Sequence, residues 1–89
     1  MKINFFAYIR DYTKTKSTEF EYCSTLRELL LKLSDIYGEK FRNKVFDGES
    51  LSKEIIILVN GRHVVHLEGL DTKLMENDEI SIFPVVAGG

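Results

Sequence analysis

The chain closes on Ala87-Gly88-Gly89, and the α-carboxyl of Gly89 is the group whose chemistry the sequence sets apart. Glycine makes up about 7% of average composition, so two closing glycines arise by chance in about 0.5% of chains. A chain end without side chains can enter a channel that any Cβ would block, and its carboxyl is sterically open to attack. That carboxyl has a reference pKa of about 3.3–3.7, so near neutral pH it is an anion and a poor electrophile. Acyl chemistry at Gly89 therefore requires activation from outside. The residues before it suit an arm: Pro84 fixes φ near about −65° and stiffens the departure, and Val85 and Val86 offer apolar contacts. The expected division is a folded domain over residues 1–83 and a flexible tail over residues 84–89. Six extended residues reach about 20 Å at ~3.3–3.6 Å each.

The other reactive side chains carry weaker signals. Cys23 is the single cysteine and has no intramolecular partner, which fits a reducing, cytoplasmic setting. Its neighbours Glu19 and Glu21 would not lower a thiol pKa, so Cys23 is expected to be a strand residue or a minor exposed thiol. His63 and His66 have no carboxylate or further ligand at a telling spacing, and no metal site is expected. Twelve basic against fourteen acidic residues give a net charge of −2 and a pI near 5.6. That balance offers no basic face for nucleic acid, and Arg10, Lys14 and Lys16 read as a solvated loop cluster. The longest apolar run, Ile55 to Val59, is too short to span a bilayer, and the first residues lack the apolar region of a signal peptide.

Hydrophobic periodicity supplies the elements that must position the arm. Lys2 to Ile9 alternates as a strand, with Ile3, Phe5, Ala7 and Ile9 on one face and Asn4, Phe6 and Tyr8 on the other. A polar loop, Arg10 to Lys16, leads to a second alternating run, Ser17 to Cys23. Thr25 with Glu28 three residues on predicts a capping box. The helix it opens runs from Leu26 to Tyr37, with Leu26, Leu29, Leu30, Leu33, Ile36 and Tyr37 on its buried face and Gly38 past its end. Glu39 to Lys53 predicts a short helical turn followed by loop. Ile55 to Val59 is a β-branched strand, and Asn60-Gly61 is a tight-turn pair leading to a return strand around His63 to Val65. One buried leucine, Leu70 or Leu74, is expected in the next turn. Asn77-Asp78 punctuates the chain before a last strand, Glu79 to Phe83. The fold class is α+β, a mixed sheet with one main helix across one face.

The ββαββ order, the helix opened at Thr25-Leu26, Phe5-Phe6-Ala7 with Arg10, the Asn60-Gly61 turn, Asn77-Asp78-Glu79 and the tail Phe83 to Gly89 together resemble one family. The chain is similar to the ubiquitin-like β-grasp sulfur carriers of the MoaD/ThiS-like group, most similar to the small subunit of molybdopterin synthase and related to the thiamine-biosynthesis carrier. Val85 stands where the molybdopterin group usually carries a second proline, and His63 stands where it carries an apolar contact residue. The resemblance implies four to five strands and an extended tail. It also implies that an E1-like adenylating enzyme uses ATP to form the acyl-adenylate of Gly89, and that a sulfur donor converts this to a thiocarboxylate. The tail, Pro84 to Gly88, then enters the active site of a larger synthase subunit or another sulfur-accepting enzyme. The chain itself would be a carrier, with no permanently bound cofactor, no membrane or nucleic-acid partner, and catalysis left to the partner.

A β-grasp sheet places the first and last strands side by side, so alternation and the resemblance together define a docking patch. Phe6, Tyr8, Ile56, Leu58, His63 and Phe83 are expected on the outer face beside the tail. Exposed apolar patches on small domains usually mark partner sites. The molybdopterin pathway leads among acceptors, with cysteine, thiamine and tRNA thiolation as alternatives. A ubiquitin-like protein modifier, or an interaction module with an incidental tail, are the rival classes.

Overall fold

The computed structural model describes residues 1–85; the expectations for Val86, Ala87, Gly88 and Gly89 lie outside the described residues. Five strands form one mixed sheet: β1 (Lys2–Phe5), β2 (Ser17–Glu19), β5 (Ile55–Val59), β6 (Arg62–His63) and β7 (Glu79–Pro84), in the order β2-β1-β7-β5-β6. β1 and β7 run parallel, and the other neighbours are antiparallel. The strict alternation in β5 and β7 buries Ile55, Ile57, Val59, Ile80 and Ile82 on one face.

Helix α2 (Leu26–Tyr37) covers that face. Its Leu26, Leu29, Leu30 and Leu33 are fully buried, each contributing about 1.5–3 kcal/mol of apolar burial. The Thr25 hydroxyl accepts the Glu28 N–H at 3.3 Å, as the capping pattern predicts. The reciprocal half closes one residue earlier than expected. The Glu28 carboxylate accepts from the Ser24 N–H at 3.1 Å and the Ser24 hydroxyl at 2.8 Å. The bond from the Ser24 hydroxyl, more than any other influence, lowers the Glu28 pKa. Gly38, at φ +96°, ends the helix and lets the chain turn at once into α3 (Glu39–Val45), whose Phe41 packs edge-on against Phe5 at 6.2 Å.

Several sequence expectations need correction. β1 ends at Phe5 and not at Ile9, because Ala7 takes a left-handed φ of +51° and turns the chain into a short helix, α1 (Ile9–Thr13). Ile9 stays in the core, now alongside Thr13 at the i,i+4 spacing of a helix, while Ala7 is exposed. β2 stops at Glu19, and Cys23 is fully buried where the chain runs in towards α2, not an exposed thiol. Residues 39–53, expected as a short helical turn followed by loop, hold the seven-residue α3 and then a small hairpin of β3 (Phe46–Asp47) and β4 (Ser50–Leu51) in place of the loop. Ile36, assigned to the buried helix face, is 59% exposed. β6 stops at His63, and Val64–His66 is a 3-10 turn that buries Val64. Leu70 and Leu74 are both buried. No helix among the described residues is long and apolar enough to cross a membrane.

The turn signals Asn60-Gly61 and Asn77-Asp78 prove to be one device. Asn60 and Gly61 take φ of +52° and +83°, the two positive values of a type I′ hairpin turn. The Asn60 side chain donates to Asp78 Oδ1 at 2.8 Å and accepts the Glu79 N–H at 2.9 Å, while Asp78 Oδ2 accepts the Met75 N–H at 2.7 Å. This clasp fixes where β7 begins. Asn60→Ala should lose it and strain the turn, costing about 1–3 kcal/mol, read as a lower urea midpoint with an unchanged slope. Glu28→Gln should lose a stabilisation that depends on pH. The depressed pKa means the charged carboxylate stabilises the fold above its unfolded value of about 4.3, and the benefit fades as pH falls through the lower folded value. Urea titrations of the two proteins should therefore differ at pH 7 and converge in strong acid.

Candidate functional site

The sheet face opposite α2 carries no helix, and its side chains form rows set by strand register. Asn4, Ser81, Leu58 and His63 lie across β1, β7, β5 and β6 in one row, and Phe83 pairs with Ile56 in the next. Ile56, Leu58, His63 and Phe83 are each half-buried, as residues of an uncovered sheet face should be. Phe6 lies just past β1 but keeps its place because its N–H donates to Ile82 C=O at 3.1 Å. Its ring stacks on Phe83 with centroids 4.2 Å apart and planes 7° from parallel.

Arg10 belongs to this site, although charge alone assigned it to a solvated loop. Its Nε donates to Phe5 C=O at 2.8 Å and its guanidinium sits 5.7 Å from the Phe6 ring centroid. The left-handed Ala7 that breaks β1 brings Arg10 back over the ring, so the aromatic pair is held by a cation as well as by the sheet. Tyr8 moves the other way. It precedes α1, 40% exposed, beside Tyr12 and with Lys44 Nζ 5.3 Å from its ring centroid, so it is not part of the sheet face. Lys44 in turn pairs with Glu54 at 3.2 Å, and hydrogen bonding to Glu54 is the main cause of its raised pKa.

The arm leaves the sheet between these two groups. Pro84, expected to be the first tail residue, is the last residue of β7, buried and paired with Ile55. Val85 follows, 44% exposed, with its N–H donating to Glu54 C=O at 2.8 Å. Beside Val85 is an apolar depression of about 400 Å³ bounded by Leu51, Ile55, Ile56, His63 and Val65. Val65, 64% exposed, extends the apolar face past β6. Strand alternation could not place Val65, because the chain leaves the sheet after His63.

Of the reactive side chains, Cys23 stands apart from this face. The Cys23 thiol is in the core, where burial above all pushes its pKa up. His63 and His66 meet edge to face at 5.7 Å, and no group of three metal-ligating side chains occurs among the described residues. The arrangement therefore presents a stacked aromatic pair, an apolar shelf and an arm rooted between shelf and ion pair.

A profile of the ThiS family matches residues 3–89. A protein of Archaeoglobus fulgidus, provisionally named a sulfur carrier protein, is 43% identical over 65 residues, covering 73% of this chain and 74% of that one. The small archaeal modifier protein 3 of Haloferax volcanii is 35% identical over 91 residues, 100% of this chain and 98% of that one. The solution structure of the small archaeal modifier protein 1 from Methanosarcina acetivorans is 36% identical, superposes with a TM-score of 0.85, and shares 99% of this chain and 94% of its own. The five-stranded sheet crossed by one main helix is the ubiquitin-like β-grasp, and the chain belongs to the ThiS family, alongside sulfur carrier and small archaeal modifier proteins.

Proposed function

We propose that this protein is a sulfur carrier whose reactive group is the Gly89 carboxyl and whose sheet face docks the enzymes that act on it. The observation that carries this reading is contiguity. The Phe6–Phe83 stack, Ile56, Val65 and the exposed Val85 form one apolar surface ending at the root of the arm. A partner seated there receives the chain end without searching for it.

The chemistry follows from the carboxylate. An E1-like enzyme supplies ATP, the Gly89 carboxylate attacks the α-phosphorus, and pyrophosphate leaves. A sulfur donor displaces AMP from the acyl-adenylate and leaves a thiocarboxylate. The carrier holds no permanent cofactor, and the tail then delivers its sulfur inside a larger synthase subunit. Molybdopterin formation in the cytoplasm is the destination proposed first. The Phe83-Pro84 junction, one of the features that resemble the molybdopterin group, favours it. Protein modification is the second reading, favoured by the full-length similarity to small archaeal modifier protein 3. In that case a lysine amine displaces AMP and an isopeptide bond forms at Gly89.

Intact-mass measurement after co-expression with the activating enzyme separates the two. Replacement of one oxygen by sulfur is the expected result, and conjugates to other proteins would support the modifier. If deletion of Gly88 and Gly89 leaves biological activity whole, both readings fail. For the docking face, Phe83→Asp should weaken binding to the activating enzyme at least tenfold, on the order of 1.4 kcal/mol or more. Loss of the Phe6 stack should cost folding only about 0.5–1.5 kcal/mol. Unchanged affinity in a titration of the folded variant would remove this face from the function.

A further inference from the structure

The root of the arm is tied to α3 by groups that the Gly89 chemistry does not use, of which Ser52 borders the apolar depression and Lys44 does not. Pro84 has no N–H to donate, so Val85 N–H to Glu54 C=O, at 2.8 Å, is the last main-chain bond of the arm among the described residues. Glu54 lies just before β5, where its carbonyl continues the β5–β7 ladder by one bond, and the loop that carries it is held by two further contacts. The buried Ser52 hydroxyl accepts the Glu54 N–H at 3.0 Å, and the Ser52 N–H donates to Val45 C=O, at the end of α3, at 2.9 Å. On the other side the Glu54 carboxylate meets Lys44 Nζ at 3.2 Å, and Lys44 also lies over the Tyr8 ring.

We infer that Ser52 and Lys44 are positioning residues that brace Glu54 and thereby fix the point and direction at which the arm leaves the sheet. The inference rests on the proposed carrier function and adds to it a second requirement, separate from docking. A docked partner finds the carboxyl only if the arm starts from a fixed root. On that proposed reading, in which Gly89 carries the reactive carboxyl, the four residues after Val85 reach at most about 14 Å at ~3.3–3.6 Å each. With so short an arm, small errors in the exit direction are not absorbed by chain flexibility, and misplacement near a reacting centre is penalised steeply. The brace approaches from α3, so it can be weakened without touching Phe6, Phe83 or Ile56.

The ion pair alone is partly solvated and contributes little to folding, whereas the buried Ser52 accepts a part-buried hydrogen bond. The test therefore combines them as Ser52→Ala with Lys44→Met, and uses Lys44→Arg as the conservative variant. Amide hydrogen exchange followed by NMR is the direct readout. The Val85 N–H of the unaltered protein should exchange at least tenfold more slowly than an unstructured amide. The double variant should lose that protection while the Ile57 and Ile82 amides keep theirs, and Lys44→Arg should retain it. In carrier-dependent pyrophosphate exchange with the activating enzyme, the double variant should show a roughly two- to tenfold lower kcat with KM changed less than twofold. An unprotected Val85 amide in the unaltered protein, protection that survives the double substitution, or a loss carried by KM alone would each overturn the brace. If the unaltered protein supports no pyrophosphate exchange, the carrier reading fails, and the Val85 exchange still decides whether the brace exists.

Discussion

The parallel pairing of β1 with β7 joins the two ends of the chain, and most of the architecture follows from it. Lys2 to Phe5 lie in register with Glu79 to Ile82, so the residues following each segment, Phe6 and Phe83, emerge together on the uncovered face. Neither ring could be held there alone. Their stacking at 4.2 Å is a tertiary contact between residues 77 positions apart, and it exists only because the sheet has closed. The same pairing places β7 between β1 and β5, so the strand that ends in the arm is bonded on both sides. Any pull on the arm is therefore resisted by two ladders instead of one.

One helix covering one face of a five-stranded sheet leaves the other face without a layer. α2 buries four leucines against the inner residues of β5 and β7, and α3 adds Phe41 and Val45. The outer face keeps its polarity graded along the strands. Lys2 and Glu79 stand at the end remote from the arm, Asn4, Ser81 and His63 with one apolar residue, Leu58, in the middle, and Phe6, Phe83 and Ile56 at the root of the arm. Apolar character thus concentrates where the chain end departs. A uniformly apolar face on a domain of this size would promote self-association, whereas a graded one confines the sticky region to one end.

Much of this was legible in the sequence where a local pattern and a tertiary role agreed. The helical spacing of Leu26 to Leu33 has one burial solution, and the structure takes it, whereas Ile55 to Val59 is apolar on both faces and only its pairing in the sheet turns Ile55, Ile57 and Val59 inward. Legibility failed where two local structures satisfy the same pattern. Ile9 is buried whether the chain continues as a strand or turns at Ala7 into a helix, because both routes return it to the core. Cys23 looked exposed because the strand pattern was carried four residues past Glu19. Glu28 announced a capping box, but Ser24, one residue before the cap, had the better-placed donors. The Arg10 contact with Phe6 depends on the left-handed Ala7, and nothing in the local sequence calls for a turn there.

The division between sheet and arm falls later in the chain than proline rules suggest, and the reason lies in the direction of the ladder bonds. Proline usually ends a strand because it cannot donate to the ladder. Here Pro84 is paired with Ile55 and buried, while Val85 resumes hydrogen bonding through Glu54. In the antiparallel ladder the residues of β7 that bond β5 alternate, as the Asn60 N–H to Glu79 C=O and Val85 N–H to Glu54 C=O bonds at its two ends show. Pro84 occupies a position whose missing donor would face away from β5, so its ring stiffens the strand without breaking that ladder. The chain is thereby held up to Val85, and the direction in which it leaves the sheet is set by the bonds to β5 and Glu54.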